Sequence, residues 1–389
     1  MTGGRGVAAP VRVAMVGLGW AATSIWLPRL REHPGFVVTA VVDPDQAARE
    51  SAAQDRSGTL LLPDVGGLTP DMVDLAVVAV PNHLHAPIAC TLLANGIRVF
   101  LEKPVCLNSE EASRLAAAER AGGAVLFAGS AARHRADVRL LRDLAEKAGR
   151  VRHVELEWVR ARGVPDAGGW FTRRELAGGG ALVDLGWHLL DTLAALLGSP
   201  RFDQVAGTVS SDFVNHGSAR AAWRRDESAG PEEAVGGGGD VEDTARCFLV
   251  TRSGVSVSLR ASWASHRARD ATRIRVDGSA GTLELNCTFG FSPNREGGPA
   301  LTYTQDGITT TVPVPPEPIG AEYARQLDEL HGLLATAEES QGRAVEETRR
   351  TIDVIERVYE SARLARTPSG AARGPGRREP STAALRGQA

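Results

Sequence analysis

The chain reads VRVAMVGLGWAA from Val11 to Ala22, and this stretch decides the fold. Its first half is a short, mostly apolar run typical of a buried strand. The second half matches GxGxxA, the fingerprint of a dinucleotide-binding turn between a strand and a helix. The glycines let the backbone approach a pyrophosphate, whose charge meets the helix N-terminus. The residues expected to bind the cofactor here are Gly17, Gly19, Trp20, Ala21 and Ala22.

An acidic residue follows at the expected distance. A second predicted strand, residues 37–42, ends at Asp43, 24 residues after Gly19. A carboxylate at this position accepts hydrogen bonds from the adenine-ribose hydroxyls. Asp43 and Asp45 would together repel a 2′-phosphate, so the sequence predicts NAD as the cofactor and makes NADP less favoured. The alternative is a turn in an α/β protein that binds no nucleotide.

Further strands and helices alternate through the first third of the chain. Apolar runs at 74–80, 98–101 and 124–128 are separated by helix-compatible stretches. Nearly continuous apolar strands that alternate with helices are typical of a parallel sheet covered on both faces. We therefore predict a doubly wound Rossmann domain over residues 11–132, preceded by a flexible N-terminus, residues 1–10.

The pattern changes after residue 133. Segments at 151–160, 245–251, 255–263, 272–276 and 282–286 alternate between apolar and polar residues, which indicates a mainly antiparallel, half-solvated sheet. The Gly-rich stretch 215–240 has no periodicity, and both a lid and a merely solvated loop are consistent with it. The predicted units are a substrate and oligomerisation α+β domain over 133–320, C-terminal helices over 321–366 packing back on the body, and a disordered tail, 367–389.

The composition excludes several classes of protein. Hydrophobic residues make up 43% and charged residues 23% of the 389 residues, which excludes wholesale disorder and a membrane-spanning chain. The 44 basic and 47 acidic residues give a net charge of -3, too balanced for a nucleic-acid binder. Four cysteines have no metal-ligand spacing, so no metal site is expected. The first ten residues lack a secretory apolar core, so we expect a cytoplasmic protein.

Two polar motifs follow predicted parallel strands, at the edge where open α/β sheets bind ligands. The first is PNHLH, from Pro81 to His85, and its histidines would equally serve as caps of the next helix. The second is the triplet Glu102-Lys103-Pro104. Lys103 is one of only two lysines in an arginine-rich chain, and a lysine, unlike an arginine, gives up its proton when its surroundings lower its pKa. The expected cofactor contacts at this edge are Pro81, Asn82, His85, Glu102 and Lys103.

The densest constellation is GGGALVDLGWHLLD, residues 178–191. On an α-helix Asp184, His188 and Asp191 would project along one face. A carboxylate one turn from an imidazole orients it and suits a general base. The alternative is a structural pair in a packed helix.

Taken in order, GLGWAA, PNHLH, LEKPV, GGGALVDLGWHLLD and VEDTA resemble the Gfo/Idh/MocA oxidoreductase family from about residue 11 to residue 365. The resemblance implies a Rossmann domain followed by an α/β domain whose large, mostly antiparallel sheet makes oligomers. It also implies NAD(P)-dependent redox chemistry on sugars, cyclitols or related polyols. Lys103, Asp184 and His188 match the family residues that meet the reacting carbon.

We therefore expect an enzyme that moves a hydride between the nicotinamide and a secondary alcohol or ketone of a sugar, amino sugar or cyclitol. His188 would take the hydroxyl proton, Lys103 would bind the reacting oxygen, Asp184 would hold His188, and Trp170 would contact the substrate. The expected partner is a second copy of the chain, in a dimer or tetramer, with neither membrane nor nucleic acid. The alternatives are an NAD-dependent glycosidase, an NADPH-dependent ketone reductase and a non-enzymatic dinucleotide sensor.

Overall fold

The computed structural model describes residues 9–54, 58–165, 169–221 and 238–366. Most of the predicted flexible N-terminus, the central part of the 215–240 stretch and the predicted disordered tail lie outside these residues. The two described ends of the 215–240 stretch are joined, because the Asn215 side chain accepts a hydrogen bond from the backbone N–H of Gly239 at 2.7 Å and donates one to its carbonyl at 3.2 Å.

The first domain is the predicted doubly wound parallel sheet. Its six strands lie in the order β3-β2-β1-β4-β5-β6, the order of a dinucleotide-binding Rossmann fold. The strands are β1 Val11–Val16, β2 Phe36–Val42, β3 Leu60–Leu62, β4 Leu75–Val78, β5 Arg98–Leu101 and β6 Leu126–Ala128. The covering helices are α1 Leu27–Glu32, α2 Gln46–Ala53, α3 His85–Ala94 and α4 Ser109–Gly122. Strands β1, β4 and β5 are almost wholly buried, which explains their apolar runs.

The second domain contains a mostly antiparallel sheet, also as predicted. Its eight strands lie in the order β14-β13-β12-β11-β7-β10-β9-β8, with one parallel pair, β10 with β7. The strands are β7 Val151–Val159, β8 Phe202–Ser210, β9 Thr244–Thr251, β10 Ser256–Ser262, β11 Ala271–Gly278, β12 Thr282–Cys287, β13 Ala300–Gln305 and β14 Ile308–Val312. Inward residues alternate with exposed ones, so one face packs on helices and the other faces outward.

Five further helices complete the described part of the chain. They are α5 Ala136–Leu144, α6 Arg174–Ala177, α7 Trp187–Leu197, α8 Ala321–Leu334 and α9 Arg343–Arg366. Helix α8 returns to the first domain, where Leu327 and Leu330 join the same buried cluster as Trp26. Helix α9 packs against α4 and β8 and so spans both domains.

One described stretch, Arg174–Leu197, is 24 residues long and apolar enough by composition to cross a membrane. In the structure 72% of its apolar window is buried inside the protein. It forms the central helices of the second domain, and this burial is typical of a core element.

A buried ion pair joins α5 to the surrounding elements. The Arg135 guanidinium donates to both carboxylate oxygens of Asp137, at 3.0 and 2.7 Å, and lies 4.7 Å from the ring centre of Phe289. It also approaches Glu322 of α8 at 3.9 Å. Only 9% of the Arg135 side chain and 2% of the Asp137 side chain are exposed, so neither charge is solvated. The pair therefore holds the start of α5 against both α8 and the antiparallel sheet.

We expect Asp137→Ala to lower the free energy of unfolding by about 3 kcal/mol, because it leaves the buried Arg135 charge short of its main partner. The matched control on the same helix is Asp143→Ala, whose partner Arg142 is solvent-exposed, and it should cost no more than about 0.5 kcal/mol. Urea unfolding followed by circular dichroism measures both variants. Equal midpoints for the two would contradict the role assigned to Asp137.

Candidate active site

The glycine turn lies where the sequence predicts, between β1 and the first helical turn. Gly17 has a φ of +83°, and a Cβ there would lie 2.6 Å from the Ala79 carbonyl oxygen, so only glycine fits. Nothing lies within 4 Å of a Cβ built on Gly19. Packing therefore does not require glycine at position 19, whereas close approach of a pyrophosphate does. This turn fits a dinucleotide.

Asp43 lies beside the turn. Its Oδ2 accepts a hydrogen bond from the Leu18 N–H at 2.8 Å, and its Oδ1 accepts one from the Asp45 N–H at 2.9 Å. Asp45 instead caps α2 by accepting from the Ala47 N–H at 2.9 Å. The carboxylate of Asp43 is thus held at the end of β2, in the position that suits an adenine ribose.

The residues after Gly19 open a wide π turn, Ala21–Trp26, before α1. Ala22 is fully buried, whereas 43% of Trp20 is exposed, with its ring 5.4 Å from that of Phe291 in an edge-to-face contact. Trp20 is therefore positioned at the surface of the cleft, and Ala22 supports the helix from beneath.

The PNHLH motif uses its side chains differently from the prediction. Asn82 is buried and donates from Nδ2 to the Ala177 carbonyl at 3.0 Å, across the domain boundary. His85 lies between the carbonyls of Pro104, 2.7 Å from Nδ1, and Val80, 2.9 Å from Nε2. Burial lowers the pKa of His85 to about 4. These two side chains contact protein carbonyls because buried polar groups need partners, and their contacts with a cofactor stay a prediction.

The EKP triplet places Lys103 at the carboxyl end of β5. Glu102 accepts from the Trp26 indole N–H at 2.8 Å and from the backbone N–H of Lys103 at 2.8 Å. Burial raises the pKa of Glu102. Lys103 Nζ then reaches across the cleft and donates to Asp184 Oδ1 at 2.6 Å. This contact brings together two of the three predicted catalytic residues.

The second oxygen of Asp184 is also occupied, since Oδ2 accepts from the Trp263 indole N–H at 2.9 Å. Burial opposes ionisation of this carboxyl, but the positive charges of Lys103 and Arg160 outweigh it and hold the pKa of Asp184 well below its usual range. Asp184 is therefore a fixed anion at the centre of the site.

His188 lies in the same site, but it does not contact Asp184 through a hydrogen bond. Its ring packs against Trp158, with ring centres 5.6 Å apart, and makes no hydrogen bond with the described residues. Burial, with the Lys103 charge, lowers the pKa of His188 to about 3. This low pKa favours the neutral imidazole, and the role of Asp184 in orienting it stays a prediction.

The stretch that carries these residues begins with a π turn, Leu182–Gly186, and continues as α7 from Trp187. Asp191 also points elsewhere, where it pairs with Arg133 near the start of α5. Arg133 contacts Glu347 of α9 at 3.2 Å as well. Asp191 is therefore part of a link between α7 and α9 through Arg133.

A buried carboxylate of the VEDTA motif holds this π turn in place. Glu242 Oε1 accepts from the N–H groups of Gly180 and Leu182, both at 3.0 Å, and from the Tyr359 hydroxyl at 2.8 Å. A Cβ on Gly180 would lie 1.8 Å from the Glu242 carbonyl oxygen, and one on Gly179 would lie 1.9 Å from the Tyr359 hydroxyl. The glycines of GGG therefore permit the close contact that fixes Asp184.

Sequence reasoning missed three groups at the site. Trp263 and Arg160 stand at the ends of β10 and β7, and no local spacing marks them as partners of Asp184. Arg160 lies over the Trp158 ring at 5.0 Å. The VEDTA motif contains Glu242, but the sequence does not indicate that this carboxylate holds the turn that carries Asp184. The predicted substrate contact Trp170 lies further out, against Phe171, with ring centres 4.8 Å apart.

Two family models match this chain. The model of the oxidoreductase family with an NAD-binding Rossmann fold, Gfo/Idh/MocA, matches residues 11–130, and the model of the Gfo/Idh/MocA C-terminal domain matches residues 138–284. Together they cover more than half of the chain. The protein is therefore an oxidoreductase with an NAD-binding domain, and it belongs to the Gfo/Idh/MocA family.

Similar proteins agree with this assignment. A relative from Amycolatopsis mediterranei (strain S699), assigned as an oxidoreductase subunit of UDP-kanosamine synthase, is 60% identical over 92% of this chain and 97% of its own length. Aldose-aldose oxidoreductase from Caulobacter crescentus has the same fold, with a TM-score of 0.72 and 24% identity over 92% and 99% of the two chains. A 3-ketoreductase from Actinomadura kijaniata, in complex with NADP and TDP-benzene, also has this fold. Its TM-score is 0.71, and it is 21% identical over 91% of this chain and 98% of its own.

The buried histidines predict how stability depends on pH. Burial lowers the pKa values of His85 and His134 to about 4 and that of His188 to about 3, so an unfolded chain binds protons that the native chain does not. The free energy of unfolding should therefore fall as the pH drops below about 6.5. His188→Gln should reduce this loss by about 1 kcal/mol per pH unit between pH 6 and 4. Urea midpoints at several pH values test this, and the same slope in His188→Gln and wild type would contradict it.

Proposed function

We propose that this enzyme oxidises a ring hydroxyl of a UDP-linked hexose to a ketone, using NAD. The observation that supports it most is the Lys103–Asp184 contact of 2.6 Å across the cleft, with the neutral His188 beside it. The substrate class follows from the 60% identical relative, whose name refers to UDP-kanosamine. Kanosamine is glucose with one hydroxyl replaced by an amino group, and a ketone is the usual precursor for such an amination. The setting that we propose is therefore secondary metabolism.

In this proposal Lys103, Asp184 and His188 each have a separate role in the reaction. Asp184 fixes the ammonium of Lys103 through one of its three N–H donors, and the other two remain to bind the reacting oxygen. Bound NAD supplies the hydride acceptor. The hydroxyl proton becomes strongly acidic as the carbonyl forms, so the neutral imidazole of His188 can accept it despite its low pKa. Trp263 holds Asp184 and keeps its charge directed at Lys103.

Lys103→Met tests this arrangement, because it keeps the length of the side chain and removes the charge. We expect kcat to fall by about 10²-fold or more with UDP-glucose as substrate. NADH formation is followed by absorbance, with hydroxylamine present to trap the ketone. The other lysine provides the control, and Lys147→Met should keep wild-type activity. Unchanged kcat in Lys103→Met would refute the role of this residue, and NAD binding by calorimetry shows whether the variant is intact.

We also propose that NAD is preferred over NADP, on the basis of the Asp43 carboxylate held beside the glycine turn. Asp43→Ser should lower kcat/KM for NAD by about tenfold and raise it for NADP, because the ribose loses an acceptor and the 2′-phosphate loses a repelling charge. Steady-state kinetics with both cofactors measure the ratio. A wild-type enzyme that uses NADP better would contradict the proposal.

The same assays separate the alternatives. Release of free sugar without net NADH would identify a glycosidase, and tight NADH binding without turnover would identify a sensor.

The oligomeric state and the cellular location of the enzyme are further proposals. Phe248 is 49% and Ile308 is 72% exposed on the outer part of the antiparallel sheet, which supports a homo-oligomer formed through that sheet. We place the enzyme in the cytoplasm, where NAD and sugar nucleotides are found.

A further inference from the structure

A row of three aromatic rings leads away from the reacting centre. Trp263 is fully buried and its indole N–H is bonded to Asp184. Phe171 follows, with its ring centre 6.1 Å from that of Trp263, and Trp170 comes next, 4.8 Å from Phe171. Phe171 and Trp170 are only partly buried. The aromatic row, Trp263-Phe171-Trp170, therefore begins at the catalytic carboxylate and ends near solvent.

The position of the outer rings places them beside the cleft. Trp170 and Phe171 immediately precede α6, whose last residue, Ala177, accepts a hydrogen bond from Asn82 of the Rossmann domain. The segment thus lies along the carboxyl edge of the parallel sheet. Its two rings are partly exposed, and they lie in the segment that leads to this contact with the Rossmann domain.

A cation stands at the inner end of the row. Arg160 lies over Trp158, and its charge acts on both Asp184 and His188. Its side chain runs past Gly163, where an added Cβ would lie 2.4 Å from Arg160 Cδ and 3.0 Å from the Trp263 carbonyl oxygen. Arg160 therefore lies close both to the reacting centre and to the backbone of Trp263, where the aromatic row begins. A guanidinium at such a point suits a phosphate group.

The chemistry of the ligand follows from this order of groups. The sugar ring that loses a hydride must lie at Lys103 and His188, so a planar group on Trp170, two ring contacts further out, belongs to another part of the substrate. Aromatic side chains stack on the faces of nucleobases and tolerate different bases. We propose that Trp170 and Phe171 form a nucleobase subsite, with the diphosphate of the same substrate beside Arg160. This inference rests on the proposed function.

Kinetics with two substrates test the subsite. We expect Trp170→Ala to raise KM for UDP-glucose by about tenfold while kcat changes less than twofold, because the stacked base is remote from the chemistry. KM for NAD should not change, and Trp170→Phe should restore most of the affinity because it keeps an aromatic face. An unchanged KM for UDP-glucose in Trp170→Ala would overturn the proposal.

Binding of UDP alone distinguishes failure of the subsite from failure of the proposed function. Titration calorimetry should show that UDP binds the wild-type enzyme and that Trp170→Ala weakens this binding about tenfold. If UDP binds in this way but UDP-glucose is not oxidised, the subsite stands and the proposed reaction is wrong. If wild-type enzyme binds no UDP, or if Trp170→Ala binds it equally well, the subsite is wrong whatever the reaction.

Discussion

The contact between Lys103 Nζ and Asp184 Oδ1 is the interaction on which the rest of the site depends. It joins the end of a Rossmann strand to the first turn of the central helix of the second domain. Only 20% of the lysine side chain and 12% of the aspartate side chain are exposed, so either charge without the other would be poorly solvated. The same ion pair that sets the reacting geometry therefore also holds the two domains in register across the cleft.

Each partner of this ion pair is held by a carboxylate of its own domain. Glu102 accepts the backbone N–H of Lys103, and Glu242 accepts two backbone N–H groups at the turn that carries Asp184. Burial raises the pKa values of both carboxyls, a cost that their converging donors offset. The reacting groups are thus fixed from behind by main-chain contacts, and their own polar atoms remain directed into the cleft.

Local patterns predicted much of this structure. The turn at Gly17, the acid at Asp43 and the alternation of strands and helices depend on short-range spacing, which a sequence displays directly. The edge strands β3, β8 and β14, and β13 next to β14, were not predicted, because they are short or largely polar. The partners of Asp184 were missed for another reason. Lys103 and Trp263 lie far from Asp184 along the chain, so no local spacing in the sequence reveals either contact.

The hydroxyl of Tyr359 has a consequence for how the enzyme is made. It belongs to α9, yet it completes the set of donors around Glu242 and packs against Gly179, at the entry to the catalytic turn. A nascent chain that has emerged as far as α8 already contains Lys103, Asp184 and His188, but it lacks this contact. The active site is therefore finished only when α9 has left the ribosome and docked. During synthesis the incomplete chain holds its catalytic residues without the support that fixes them.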